Sequence, residues 1–195
     1  NYSAYINTKK TCPDITMVQE LKSDSIAEKR NISYCRIGNR SLGIDAFYPN
    51  YKTIKPRTAI IIVHGGGWRS GNRTQHYPLA QYLARLGYVC FTPEYRLSTE
   101  ALYPAAVHDI KASIRWVRAH ATEFNIDSNK ISILGFSAGG ELAAFMGATN
   151  GLSEFEGVNC ELNHSSQVNA VIDIDGILSF VHPESGGGDD SKRIS

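Results

Sequence analysis

The sequence predicts an α/β domain, a mostly parallel sheet with helices on both faces. Three observations carry this. The apolar, β-branched runs TAIIIVH (58–64), YVCFTPEY (88–95) and KISILGF (130–136) suit strands buried on both faces, as parallel strands are. Stretches with apolar residues at helical spacing lie between them. Strand and helix then alternate along the chain, which is the order of βαβ units.

Residues 1–30 are polar and mixed and read as an N-terminal extension or a short helix. NISYCRI (31–37) and LGIDAFY (42–48) alternate apolar and polar residues around the turn-prone GNRS, which predicts an antiparallel hairpin. The polar linker PNYKTIKPR leads into the first buried strand. Leu79, Tyr82, Leu83 and Leu86 fall at helical spacing, and Gly87 supplies the stop. After the strand at 88–95, Val107, Ile110, Ile114, Val117 and Ala121 mark one face of a long helix opening near Pro104. The strand at 130–136 runs into a helix over GELAAFMGA, ending near Asn150-Gly151. VNAVIDID (168–175) reads as a further strand before the glycine- and acid-rich HPESGGGDD. No repeat or internal boundary interrupts residues 31–195, which read as one domain.

Composition excludes several function classes. The 195 residues carry a net charge of +1 with 42% hydrophobic content, so there is no basic stripe for a phosphate backbone and no nucleic-acid partner is expected. No apolar run approaches the length of a membrane span. Cys12, Cys35, Cys90 and Cys160 lie far apart with no CxxC pair, and Cys90 sits in a strand-like run where a thiol behaves as a small hydrophobe. Asn31, Asn39 and Asn163 each begin an N-x-S triplet. Compartment stays open, with a leaning toward a secreted or periplasmic setting, and oligomeric state is not legible.

Two glycine-rich motifs carry the chemistry. Gly135-Phe136-Ser137-Ala138-Gly139 satisfies G-x-S-x-G with a strand before it and a helix after it, the context of a strained turn that exposes a nucleophilic serine. The helix start aims free N–H groups toward the serine oxygen, where negative charge would develop. HGGGW (64–68) also follows a buried strand, and its consecutive glycines let backbone N–H groups approach an oxyanion unobstructed. A dinucleotide site is the competing reading of this loop, with Gly65-x-Gly67 after a strand and Glu94 where a ribose-binding acid would lie. Against it, Ser70 holds the third glycine position and WRSGNRTQ reads as a loop rather than a helix start.

With both motifs in this order, the chain resembles the α/β-hydrolase superfamily, and within it the hormone-sensitive-lipase-like, acetyl-esterase-like branch that carries HGGGW before GxSAGG. The resemblance covers about residues 31–182, including YRL (95–97) and YPAAVHDI (103–110). It implies Ser137 as nucleophile and the N–H groups of Gly66, Gly67 and Ala138 as oxyanion donors. It also implies a serine carboxylester hydrolase with no metal or organic cofactor, deacylating a carbohydrate or small-molecule ester through an acyl-enzyme. Members with a loop like DGILSFVHPESG resemble bacterial esterases of plant polysaccharides. A kynurenine-formamidase-like amidase and a non-catalytic binding module on the same scaffold are the alternatives.

The family's acid and histidine follow the serine on two later βα units. The sequence therefore reads as a domain truncated at its C-terminus, lacking roughly 60–90 residues at ~30 residues per unit. Asp173, Asp175 and His182 follow Ser137 in triad order, but read more simply as groups shaping a strand exit and a loop. His64 is expected to hydrogen-bond within its own loop, and His76, His108, His120 and His164 to face solvent. Trp68 is expected either to line an acyl pocket or to pack under its loop.

Overall fold

The computed structural model describes residues 2–179. Among the described residues there are six strands: β1 (Ile26–Ile37), β2 (Arg40–Pro49), β3 (Arg57–Val63), β4 (Val89–Pro93), β5 (Ile126–Phe136) and β6 (Ala170–Ile174). Four helices accompany them: α1 (Tyr2–Thr11), α2 (Tyr77–Arg85), α3 (Ala105–Ala119) and α4 (Ala138–Ala148). All six strands join one sheet in the order β1-β2-β4-β3-β5-β6. β1, β2 and β4 pair antiparallel, while β4, β3, β5 and β6 pair parallel. The expected hairpin is present, although β1 starts at Ile26 rather than Asn31.

The order reverses at β3. From there the chain crosses first to β4 on one side and then to β5 on the other. In an open α/β sheet, such a switch point opens a crevice at the carboxyl ends of the flanking strands. Register places the two motifs there, because Val63 pairs with Gly135 and Gly135 with Asp173.

Strand alternation divides the core between the sheet's two faces. Ile60, Ile62 and Leu134 join Tyr77, Ala80 and Ala84 of α2 on one face. Ala59, Ile61 and Val63 join Ile110 and Ile114 of α3 and Leu142 and Met146 of α4 on the other. A fully buried isoleucine contributes about 1.5–3 kcal/mol. The stripe expected on the helix at 77–85 is half buried: Leu79 and Leu83 pack on this cluster, while Tyr82 is 48% exposed and Leu86 56%. The small side chains of Ala80 and Ala84 face the sheet most directly, which lets α2 sit close against it.

α3 is buried on nearly every side. Its apolar stripe contacts the sheet as expected, yet Asp109, Lys111 and Arg115 are also buried. Arg115 pairs with Glu156 at 2.7 Å and donates to the carbonyls of Glu156, Asn159 and Cys160. Lys111 Nζ donates to the Thr149 carbonyl at 2.9 Å and pairs with Glu156 at 3.4 Å. The helix's charged face therefore pins the connection from α4 to β6. A Cys35–Cys160 disulfide ties that connection to β1 as well. β6 lies at the sheet's outer edge, with Val171, Ile172 and Ile174 each about 40% exposed. Among the described residues, no helix is long and apolar enough to cross a membrane.

Candidate active site

Ser137 stands between β5 and α4 with φ 53° and ψ −122°, a backbone conformation that residues other than glycine rarely adopt. Its neighbours over-determine that conformation. The Ser137 N–H donates to the Ile174 carbonyl at 2.9 Å, and its own carbonyl accepts from Gly140 and Glu141 N–H at 2.8 and 3.0 Å. The motif's glycines are required by close approach. A Cβ on Gly135 would lie 1.8 Å from the Gly139 carbonyl oxygen, and one on Gly139 would lie 2.3 Å from that of Val63. Gly139 thus seats the serine turn directly on the end of β3, where the glycine loop begins.

That loop reaches the serine from the other side. A Cβ on Gly65 would meet the Ser137 Cβ at 3.2 Å and the Phe136 carbonyl oxygen at 2.6 Å. Two successive peptides of the loop are held by their carbonyls. His64 Nδ1 bonds the Gly65 carbonyl at 2.9 Å, which assigns the ring hydrogen to Nδ1 because a carbonyl only accepts. The Gly66 carbonyl accepts from Arg69 N–H, Ser70 N–H and Ser70 Oγ at 3.0–3.2 Å. In a trans peptide the N–H points opposite its C=O. Fixing the carbonyls of Gly65 and Gly66 therefore turns the N–H groups of Gly66 and Gly67 away from the loop's interior. Neither N–H, nor that of Ala138 at the first turn of α4, has a hydrogen-bond acceptor among the described residues.

The histidines divide by burial. His64 is buried, stacks on Tyr95 and bonds within its own loop, and burial holds its imidazole below the usual histidine value. His76 is half-buried rather than solvent-facing. Its ring lies 4.2 Å from that of Phe136, with Nε2 buried and unpartnered. His120 stacks on Trp116 and bonds that residue's carbonyl, while His164 pairs with Glu161 at the surface. His108 is half-buried beside Gly157. Among the described residues, no histidine is hydrogen-bonded to Ser137.

Asp173 bonds the Gly176 N–H at 3.0 Å and packs on Gly140, and Asp175 takes a φ of 60° in the same turn. His182 lies outside the described residues. Glu94, the acid of the dinucleotide reading, is committed elsewhere, accepting from Arg40, the Gly43 N–H and Arg73. The glycine loop runs on into a 3₁₀ turn at Arg73–His76, capped by Asn72, and from there into α2. Among the described residues, no cluster of three or more His, Cys, Asp or Glu is placed to hold a metal ion.

Beside the glycine loop lies a cavity of about 520 Å³, walled by Trp68, Leu102, Tyr103, Val107, Leu142 and Phe145 among others, with Arg69, Arg96 and Glu141 as charged groups. Arg96 is taken by Asp109 through Nε and Nη2. Burial raises the Glu141 carboxyl to about 7, with Trp68 opposing the rise. Sequence reasoning missed this buried acid. Its one signal is a glutamate four residues after the motif serine, on a helix that is otherwise apolar and small.

A serine turn facing a glycine loop at the switch point of a mostly parallel sheet defines the α/β-hydrolase class. Residues 44–194 match the BD-FAE family, and the chain belongs to it. It is 37% identical over 123 residues to the esterase LipC of Mycobacterium tuberculosis, covering 63% of this chain and 30% of that one. It is 30% identical over 129 residues to carboxylesterase NlhH of the same organism, covering 65% of this chain and 39% of the relative. The chain therefore spans well under half the length of these relatives. Among solved structures, a truncated carbohydrate esterase from gut microbiota superposes with a TM-score of 0.74 at 31% identity, covering 84% of this chain and 62% of that one. Esterase 2 of Thermogutta terrifontis with propionate bound gives 0.70 at 31% identity, covering 87% and 61%. The same esterase is also known phosphonylated by sarin.

Proposed function

We propose that this protein is a serine carboxylester hydrolase acting on a carbohydrate or small-molecule ester. The carrying observation is the meeting of Ser137 with Gly65, the first glycine of the loop, at the ends of β5 and β3. Ser137 Oγ attacks the ester carbonyl and passes its proton to a histidine base, which the described histidines do not supply. The tetrahedral oxygen is received by the N–H groups of Gly66, Gly67 and Ala138. The alcohol leaves, and water hydrolyses the acyl-enzyme. The names of the similar proteins support ester chemistry, and one of them is a carbohydrate esterase. Phosphonylation of another by sarin is what an activated serine undergoes. The Cys35–Cys160 disulfide favours an oxidising compartment, such as a secreted or periplasmic setting.

The test is active-site labelling. A fluorophosphonate probe is expected to label the protein at Ser137, and Ser137→Ala to abolish both labelling and hydrolysis of p-nitrophenyl acetate. Labelling that survives in the variant overturns the assignment.

A further inference from the structure

We propose that the end of the sheet opposite Ser137 docks on the surface of an anionic lipid bilayer, with the loop at 51–56 as its insertion tip. This goes beyond the esterase reading and does not depend on it.

The loop joins β2 to β3 and reads Tyr51-Lys52-Thr53-Ile54-Lys55-Pro56. Ile54 is 103% exposed, so its whole side chain stands in water. A single exposed apolar residue is ordinary. This one, however, is presented by a loop fixed on both sides of it. Asn125 Nδ2 donates to the Thr53 carbonyl at 3.0 Å and Thr53 Oγ1 to the Lys55 carbonyl at 2.9 Å. Arg57 Nη2 donates to the Tyr51 carbonyl at 2.6 Å. The tip is therefore held outward instead of folding back over its isoleucine.

The apolar surface continues onto the C-terminal end of α2. A Cβ on Gly87 would lie 3.8 Å from Tyr51 Oη, which brings the loop beside Leu86 and Tyr88. Tyr51, Leu86 and Tyr88 are all exposed, as is Tyr82 one turn before Leu86. Contiguous exposed apolar surface of this kind marks an interaction face.

Cations ring the patch. Among the described residues, Lys52, Lys55, Arg57 and Arg85 have no carboxylate at ion-pair distance. Glu123 and Asp127, which flank Asn125 in sequence, are committed to Lys29 and Lys130. Asp24, whose carbonyl accepts from Asn50, is the acid that stands against them. A positive face with an apolar tip complements an anionic bilayer, where basic residues meet the headgroups and the tip enters the acyl boundary. An acidic polysaccharide would match the charge but has no use for Ile54. The tyrosines also suit it poorly, because Arg57 and Arg85 lie over the rings of Tyr51 and Tyr82 at 5.0 and 5.3 Å, each covering a face on which a sugar would stack.

The face lies where the parallel strands begin. Arg57 opens β3 and Val89 opens β4, whereas Gly65 and Ser137 follow the carboxyl ends of β3 and β5. β3 has 7 residues, so at about 3.3 Å per residue the two ends lie roughly 20 Å apart. Docking leaves Ser137 turned to the solution, and the bilayer is a surface of attachment rather than a substrate.

Vesicle sedimentation of the full chain tests this, with phosphatidylglycerol mixed into phosphatidylcholine and with phosphatidylcholine alone. The protein is expected to pellet with the anionic vesicles at low salt, to be largely released at high salt, and to stay in solution with the neutral ones. Lys52→Gln/Lys55→Gln is expected to weaken binding about thirtyfold, at roughly fivefold per charge. Ile54→Ser is expected to weaken it about tenfold, because the apolar tip is lost. Urea unfolding at the wild-type midpoint shows that each variant keeps its fold. No pelleting with anionic vesicles, or equal pelleting with neutral ones, overturns the proposal. So does Ile54→Ser binding as tightly as the wild type, and if the lysine variant alone is weakened the face belongs to an acidic polymer. Self-association that Ile54→Ser abolishes, without vesicle binding, would assign the face to a second copy of the chain and overturn the proposal as well.

Discussion

Tyr95 lies flat against His64, with 4.4 Å between ring centroids and 15° between planes, and its Oη donates to the His64 carbonyl at 2.9 Å. Both residues are buried. The phenol thus supports from below the same loop that His64 steadies through Gly65. Removing that hydroxyl leaves a buried carbonyl without its partner, which typically costs about 1–3 kcal/mol. Tyr95→Phe is expected to lower unfolding free energy by that amount in urea and to reduce kcat as the loop relaxes. Unchanged stability would mean that water or another donor replaces the hydroxyl.

The two glycines proposed to bind the oxyanion are not equivalent. Gly66 has a φ of 129°, and a Cβ there would lie 2.2 Å from the Ser70 carbonyl oxygen, so Gly66→Ala has to move the loop. Gly67 has a φ of 59° with nothing within 4 Å of a Cβ, so Gly67→Ala carries only the left-handed backbone cost of roughly 1–2 kcal/mol. Gly66→Ala is expected to lower kcat about 100- to 1000-fold, with KM much less affected. Gly67→Ala is expected to be the milder. Steady-state kinetics on p-nitrophenyl acetate reads the order directly, and equal losses would show that open space at Gly67 is irrelevant.

Reduction should destabilise the fold. The Cys35–Cys160 bridge closes a sequence separation of 125 residues. The chain-entropy model gives roughly 4–5 kcal/mol for a loop of that order. The Cys35→Ser/Cys160→Ser variant is expected to unfold at clearly lower urea than the oxidised protein. Dithiothreitol should have the same effect on the wild type and none on the variant.

His76 gives stability a pH dependence. Burial, aided by the His64 charge, lowers its imidazole from 6.5 to about 4. The unfolded chain therefore binds this proton more readily than the folded one. Its contribution is fully present above about pH 6.5 and is lost as pH falls toward 4. His76→Phe, which keeps a ring on Phe136, is expected to flatten the fall in unfolding free energy between pH 6.5 and 4. A slope identical to that of the wild type would place the titration elsewhere.

The sequence alone determined whatever is encoded over a few consecutive residues. The buried run at 58–64, the hairpin around GNRS and the serine turn at 135–139 each depend on short-range period or on glycine spacing, and each has its predicted form. The α/β-hydrolase resemblance likewise rests on two short motifs, HGGGW and GFSAGG. Partners far apart in the chain were decided only by the tertiary structure. Cys35 met Cys160, Glu94 was drawn to Arg40 and Arg73, and the charged face of α3 found Glu156 and the carbonyls of its covering loop. The reason is physical: backbone propensity and side-chain period act within a turn or two, whereas the value of a buried charge or thiol depends on which group the sheet's strand order brings within about 3 Å of it.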